Sequence, residues 1–213
     1  MPVLSLPEAE QLIIATLIRC RTGGDNARAV AAALIGAELA GQPAHGLRRL
    51  PAYAAQAWGG KVDGLARPRP HQILPGVMRI DAGGGFAYPA LDLAVEWLTG
   101  TAPVQGIAAA SVTRSHHCGV AGVTVRRLAD AGLVALMFAN TPAAMAPWGG
   151  NRAVFGTNPI AFAAPRAGTA APVVVDVSLS KVARGKVMAA RQRGEAIPEG
   201  WALDAAGQPT TDP

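Results

Sequence analysis

Gly106-Ile107-Ala108-Ala109-Ala110-Ser111-Val112-Thr113-Arg114-Ser115-His116-His117-Cys118-Gly119 joins an apolar run to a polar corner. The small and β-branched residues of 106–113 predict a strand. From about Gly119 to Ala131 the apolar positions take helical spacing. A strand-to-helix corner is where α/β proteins hold ligands, because free backbone N–H groups and polar side chains meet there. Imidazole changes protonation near neutral pH, so the adjacent His116 and His117 suggest proton chemistry. A ring that only caps the helix, or packs against it, satisfies the same spacing.

Outward from this corner, strands and helices alternate. Val77 to Asp81 alternates as a strand, Tyr88 to Leu98 as an amphipathic helix. Leu133 to Ala139 and Val173 to Asp176 read as buried strands, and Leu179 to Arg193 as a helix. This is the pattern of a mixed α/β domain. The first sixty residues are different. Ser5-Leu6-Pro7-Glu8 is a capping box, followed by Leu12, Ile13, Leu17 and Cys20 at helical intervals. A second helix starts near Asp25, with Ala29, Val30, Ala33, Leu34 and Ala37 on one face. A third spans Leu47 to Trp58 and stops at Gly59-Gly60. Residues 61–75 carry Pro68, Pro70 and Pro75 and read as a crossing segment. We therefore expect a helical unit over 1–70 and an α/β domain over 71–213. The chain stops at Thr210-Thr211-Asp212-Pro213 inside a loop-like phrase, which reads as a product that ends early.

Composition narrows the class. Of 213 residues half are hydrophobic and 15% are charged, which excludes general disorder. Aromatics make up only 5%, so helices should pack closely on small side chains. The net charge of +5 favours anionic ligands. The basic residues are scattered, with no run longer than Arg48-Arg49 or Arg126-Arg127, so a small anion fits better than nucleic acid. Cys20 and Cys118 make no disulfide framework, and the N-terminus has no basic segment of the kind that leads a signal peptide. A cytoplasmic protein is the expectation. No apolar run approaches a membrane span.

Three motifs need weighing. Gly83-Gly84-Gly85-Phe86-Ala87-Tyr88 lacks the third glycine of a dinucleotide fingerprint, because Tyr88 stands in its place; a tight turn is the better reading. His116-His117-Cys118 offers consecutive residues, which cannot converge on one zinc ion, so no metal is expected. His45 and Arg49 lie four apart and share a face if a helix starts at His45. Such a pair suits a 2-hydroxy or 2-keto acid: arginine grips the carboxylate with parallel hydrogen bonds, and imidazole exchanges a proton with the neighbouring oxygen. An ordinary solvated basic face is the alternative. Asp176-Val177-Ser178 ends a strand, where either a ligand or a helix N-cap would sit. Gly156-Thr157-Asn158-Pro159 reads as a turn.

Taken together the phrases resemble the malate/L-lactate dehydrogenase family. They are Ala44-His45-Gly46 with Arg49, Ser115 to Gly119, Pro147-Trp148-Gly149-Gly150, Gly156 to Pro159 and Asp176 to Ser178. Ile197-Pro198-Glu199-Gly200-Trp201-Ala202 with Pro209 to Pro213 is the most specific, and the likeness runs in order through the chain. The resemblance implies an L-sulfolactate-dehydrogenase-like, non-Rossmann fold, NAD or NADP as cofactor, a small 2-hydroxy or 2-keto acid as substrate, and a homodimer. It implies His45, His117 and Lys186 as catalytic candidates, and Arg49 and Thr157 on the substrate carboxylate. His117, Cys118, Gly119, Val120, Ala121, Thr141, Asp176, Val177, Ser178, Arg184 and Gly185 would contact the cofactor. Two departures bear on the chemistry. Family members commonly carry serine where this chain has Ala44, and the imine reductases carry aspartate where it has Lys186. An imine-reducing relay on His45 therefore lacks its partners, and a hydroxy-acid dehydrogenase is the leading expectation. A catalytically silent family member that depends on a partner chain is the alternative.

Overall fold

The computed structural model describes residues 3–213, apart from the side chain of Arg184. The capping box forms as expected. Ser5 N donates to Glu8 Oε2 at 2.8 Å and Glu8 N to Ser5 Oγ at 3.4 Å. It starts helix α1 (Leu6–Arg19), which packs antiparallel-hairpin fashion on α2 (Gly24–Leu39). Ile13, Leu17, Val30 and Leu34 are fully buried between them. Buried Asn26 ties this pair to the following segment: its Nδ2 donates to the carbonyls of Gly64 (2.8 Å) and Ala66 (2.9 Å).

The third helix begins later than its periodicity suggests. Two single 3-10 turns, Pro43–His45 and Leu47–Arg49, precede α3 (Leu50–Trp58). Gly46 separates the turns and lies against the Glu38 side chain, whose Oε1 accepts from Leu47 N at 2.7 Å. A side chain on residue 46 would collide with that carboxylate.

The 61–75 segment contains a strand, β1 (Arg69–Leu74), across the expected boundary near residue 70. It pairs antiparallel with β2 (Val77–Asp81). All of β1 is exposed, so it carries no alternation to detect. Helix α4 (Ala87–Gln105) then crosses over to β3 (Ala109–Thr113), which lies parallel to β2. Helix α5 (Ala121–Asp130) leads into a second sheet of order β4-β5-β6. Its strands β4 (Ala135–Phe138), β5 (Ile160–Ala164) and β6 (Val173–Val177) are antiparallel throughout. The alanines of β5, Ala161 and Ala163, are fully buried against α5. Helix α6 (Arg184–Arg193) starts later than the sequence suggests, and a short hairpin, β7 (Ala202–Leu203) with β8 (Pro209–Thr210), closes the described chain.

The main core is shared by the N-terminal helices and α4. Leu50, Tyr53 and Ala57 of α3 meet Phe86, Ala87, Tyr88 and Leu91. This packing carries α3 and the 3-10 turns to the β3–α5 corner. The outer surface of the second sheet is different: every residue of β6 is exposed, with Leu136 and Phe138 62% and 68% exposed beside it. Among the described residues no helix is long and apolar enough to cross a membrane.

Candidate functional site

The glycine turn at 83–85 positions the histidine corner. Gly83 and Gly84 have φ of +64° and +80°, and Gly83 N donates to Asp81 Oδ1 at 2.9 Å. A Cβ on Gly85 would lie 2.7 Å from Ala66 Cβ. The turn clasps the chain leaving β3. Gly84 N donates to Arg114 O at 2.8 Å, and His116 N to Gly85 O at 2.9 Å. Arg114, itself at φ +50°, closes a bidentate pair on Asp81 at 2.9 and 2.6 Å. Glycine is required here for a tight turn, as the sequence suggests.

His117 is held from several sides. Its Nδ1 lies 2.7 Å from Tyr53 Oη and accepts from Gly119 N at 3.3 Å. Tyr53 Oη lies 2.9 Å from Tyr88 Oη. The only two tyrosines of the chain therefore meet each other here, and Tyr53 carries the contact on to the imidazole. Gly119 has φ +74°, and a Cβ there would stand 2.8 Å from Tyr88 Oη.

The His45 ring stacks on that of His117, with centroids 5.5 Å apart and planes 14° from parallel. His116 meets Tyr53 edge-on at 5.0 Å and Phe86 at 5.8 Å. Three of the chain's four histidines thus share one cluster. Among the described residues the buried Nδ1 atoms of His45 and His116 have no hydrogen-bond partner. Arg49 folds back over the first 3-10 turn, its Nε donating to Ala44 O at 2.8 Å. The common α-helical face expected for His45 and Arg49 is replaced by this fold-back, which still brings the guanidinium beside the rings.

Electrostatics follow from this arrangement. Burial, and then the charge of Arg49, hold His45 below the ordinary histidine value, while Asp176 acts in the opposite direction. Burial leads for His117 too; with Arg49, His45 and His116 it takes the group down to about 3. His116 is lowered by burial, Lys61 and Arg49. Burial pushes Tyr53 up to about 12 and Tyr88 and the Cys118 thiol upward. At neutral pH the cluster is a set of neutral rings and phenols beside one guanidinium.

The remaining candidates form two further groups. Asp176, on β6, accepts from Gly122 N at 2.7 Å through Oδ2, so its carboxylate sits at the N-terminus of α5. Val177 ends the strand, and Ser178 Oγ lies 2.9 Å from Ser180 Oγ. A Cβ on Gly185 would lie 3.2 Å from Ala44 Cβ, so the start of α6 abuts the His45 turn. Lys186 is exposed on the next position; the Arg184 side chain lies outside the described residues. Thr141 and Thr157 form the other group, with hydroxyls 3.2 Å apart. Thr141 N donates to Asn158 Oδ1 at 2.9 Å, and Asn158 sits at φ +31°. Among the described residues no hydrogen bond joins this threonine pair to His45 or Arg49. Cys118, Val120 and Ala121 line the path from His117 into α5, all partly or fully buried. Among the described residues no group of His, Cys, Asp and Glu is placed to hold a metal ion.

Tyr53 and Glu38 escaped the sequence reading, and Tyr88 and Asn158 entered it only as turn or helix residues. The scarcity of tyrosine was a usable signal, since Tyr53 follows Arg49 at helical spacing. Its pairing with Tyr88 is a tertiary contact that spacing does not encode.

Comparison with known proteins places this geometry. The model of the malate/L-lactate dehydrogenase family matches residues 4–213. A (2R)-3-sulfolactate dehydrogenase (NADP(+)) of Chromohalobacter salexigens is 54% identical over 211 residues, covering 99% of this chain and 63% of that protein. The crystal structure of a delta1-piperideine-2-carboxylate reductase from Pseudomonas syringae superposes with a TM-score of 0.94 at 35% identity, covering 100% of this chain and 64% of the other. Sulfolactate dehydrogenase from Methanocaldococcus jannaschii superposes at 0.86 with 29% identity, covering 99% and 61%. The sulfolactate-dehydrogenase-like, mixed α/β fold expected from the motifs is the one observed. The chain spans less than two thirds of the length of each of these proteins.

Proposed function

The chain belongs to the malate/L-lactate dehydrogenase family, and from that premise we propose that it serves an NAD(P)-dependent oxidoreductase acting on a small 2-hydroxy or 2-keto acid of the malate, lactate or ureidoglycolate type. The observation that carries this reading is the stack of His45 on His117 with Arg49 folded against the same turn. It joins a carboxylate-binding cation to proton-exchanging rings within one cluster.

In this reading Arg49 holds the substrate carboxylate, and Thr157 is its second ligand. His45, stacked on His117 and next to the Arg49 turn, exchanges the proton of the C2 oxygen. His117 and Lys186 are the further catalytic candidates in this reading. The dinucleotide, when bound, supplies or receives the hydride at C2. The residues at the α5 terminus fit its neutral end. The Asp176 carboxylate at that terminus suits hydroxyl and amide donors such as ribose and carboxamide, and repels phosphate. His117 to Ala121, Asp176 to Ser178, Thr141, Arg184 and Gly185 would hold this end.

Two positions favour a hydroxy acid over a cyclic imine. Residue 44 is alanine and residue 186 lysine, so neither a hydroxyl nor a carboxylate supports His45 from these places. The relative that acts on (2R)-3-sulfolactate makes 3-sulfo acids an early choice of substrate. The active unit in this proposal is a homodimer.

A spectrophotometric screen of 2-keto acids with NADH and NADPH tests the reading. The account expects turnover with at least one small keto acid. It also expects Arg49→Ala to lower kcat/KM by roughly 30-fold or more, for a lost contact of about 2 kcal/mol or more. Unchanged turnover of every keto acid in that variant contradicts the assignment.

A second reading rests on the uncovered apolar surface of the β4-β5-β6 sheet. Under it the chain is a catalytically silent subunit that depends on another polypeptide to cover this sheet. Its mark is self-association or aggregation with no fluorescence response to either reduced cofactor.

A further inference from the structure

We propose that Tyr53 is a positioning residue that, backed by Tyr88, fixes His117 as the neutral imidazole protonated at Nε2. A backbone N–H only donates, and Gly119 N–H donates to His117 Nδ1 at 3.3 Å. Nδ1 therefore presents its lone pair, and the ring proton sits on Nε2. The Tyr53 hydroxyl, 2.7 Å from the same Nδ1, must then donate its proton to it. That leaves the Tyr53 oxygen as acceptor for the Tyr88 hydroxyl at 2.9 Å. The three groups form one directed chain, Tyr88 to Tyr53 to His117, in which each donor strengthens the next.

The surroundings enforce this state. Tyr53 is 2% and Tyr88 6% exposed, so water does not compete for their hydroxyls. His117 faces His45 and Arg49 from the 3-10 turns, Tyr53 from α3, Tyr88 from α4, and His116 and Cys118 on its own loop. Arg49, the full charge among these groups, is positive and opposes protonation of the ring. Gly119 is part of the device: a Cβ there would displace the Tyr88 hydroxyl.

The consequence rests on the function proposed above. An imidazole that carries its proton on Nε2, and whose one Nδ1 lone pair is taken up by the Tyr53 hydroxyl with Gly119 N–H as a weaker second donor, can donate to a substrate or cofactor oxygen but cannot take the hydroxyl proton. That task falls to His45, whose ring stacks on His117. The two stacked rings thus divide the work, one as fixed donor and one as proton carrier.

Long-range 15N–1H correlation spectra of the imidazoles test the assignment without requiring turnover. The wild-type chain at pH 7 is expected to show His117 with a protonated Nε2 and an unprotonated Nδ1. Tyr53→Phe should shift His117 toward a tautomer mixture, and Tyr88→Phe should do the same to a smaller extent. Circular dichroism establishes that each variant is folded. If Tyr53→Phe does not fold, the wild-type tautomer and Tyr88→Phe decide. A protonated Nδ1 in the wild type, or a tautomer indifferent to both substitutions, overturns the proposal. Where keto-acid turnover is present, Tyr53→Phe should lower kcat about tenfold with little change in KM. Equal loss through KM alone would mark Tyr53 as merely structural. Absent turnover with the Nε2 tautomer intact counts against the functional reading and leaves the positioning role standing.

Discussion

Acidification should unfold this protein through its histidine cluster, and His117 sets the size of the effect. The group sits at about 3 in the folded chain and near 6.5 when unfolded. Between these values the unfolded chain binds the proton and the folded chain does not. Stability therefore is fully present above pH 6.5 and falls as pH drops toward 3. The slope is about 1.4 kcal/mol per pH unit for one proton, so the step from pH 6.5 to 5 costs about 2 kcal/mol through His117 alone. His45 and His116 are shifted in the same direction and add to it. Other shifted groups act elsewhere. Asp81 is lowered to about 2 by Arg114, and Glu8 and Glu195 lie below their usual carboxylate values, so they contribute only at more acidic pH. Cys118, Tyr53 and Tyr88 are raised and matter above pH 9. Urea unfolding at pH 7, 6 and 5 is the assay, run on the wild type and on His117→Gln. The variant will be less stable at pH 7, because Tyr53 loses its acceptor; the comparison is between slopes. The wild type should lose about 2 kcal/mol more than the variant across the range. Parallel curves for the two proteins would refute the reasoning.

Two further substitutions probe the frame of the site. Gly119→Ala forces an L side chain to φ +74° and against Tyr88, for about 1–2 kcal/mol of backbone strain. A melting temperature lower by roughly 2–8 °C is expected, and an unchanged one contradicts the packing. Asn26→Ala removes both donors from the Gly64 and Ala66 carbonyls; Gly64 O keeps Gly23 N at 3.0 Å, whereas Ala66 O loses its partner. Chemical denaturation should register a loss of about 1–3 kcal/mol, and a loss below a few tenths would mean that water replaces the amide.

Local rules carried the sequence a long way. The capping box at Ser5 and Glu8 needs only neighbours in sequence, and it forms. Val77 to Asp81 alternates because one face is buried, with Met78 and Ile80 inside. The 83–85 glycines were legible as a turn because the third position of the fingerprint is Tyr88. Other elements had no local signal. Strand β1 is exposed on both faces and carries Pro70, so neither alternation nor propensity marks it. Strand β5 is alanine-rich and is defined by its neighbours β4 and β6. The late start of α3 depends on Glu38 reaching Leu47 N from another helix. At the site, the corner at 115–119 and the His45–Arg49 pair were each visible as motifs. Their meeting, and the tyrosine pair beneath them, exist only once the core has packed.

The central claim is that these two distant segments surround one small acid. Histidine-selective 15N spectroscopy during titration with oxamate, a non-reducible analogue of a 2-keto acid, tests it directly, with His71 on β1 as internal control. The account predicts that the His45 and His117 imidazole signals move together along one saturation curve, that His71 stays fixed, and that Arg49→Ala abolishes the response. Independent curves for the two rings, or movement of His71 alone, would contradict it.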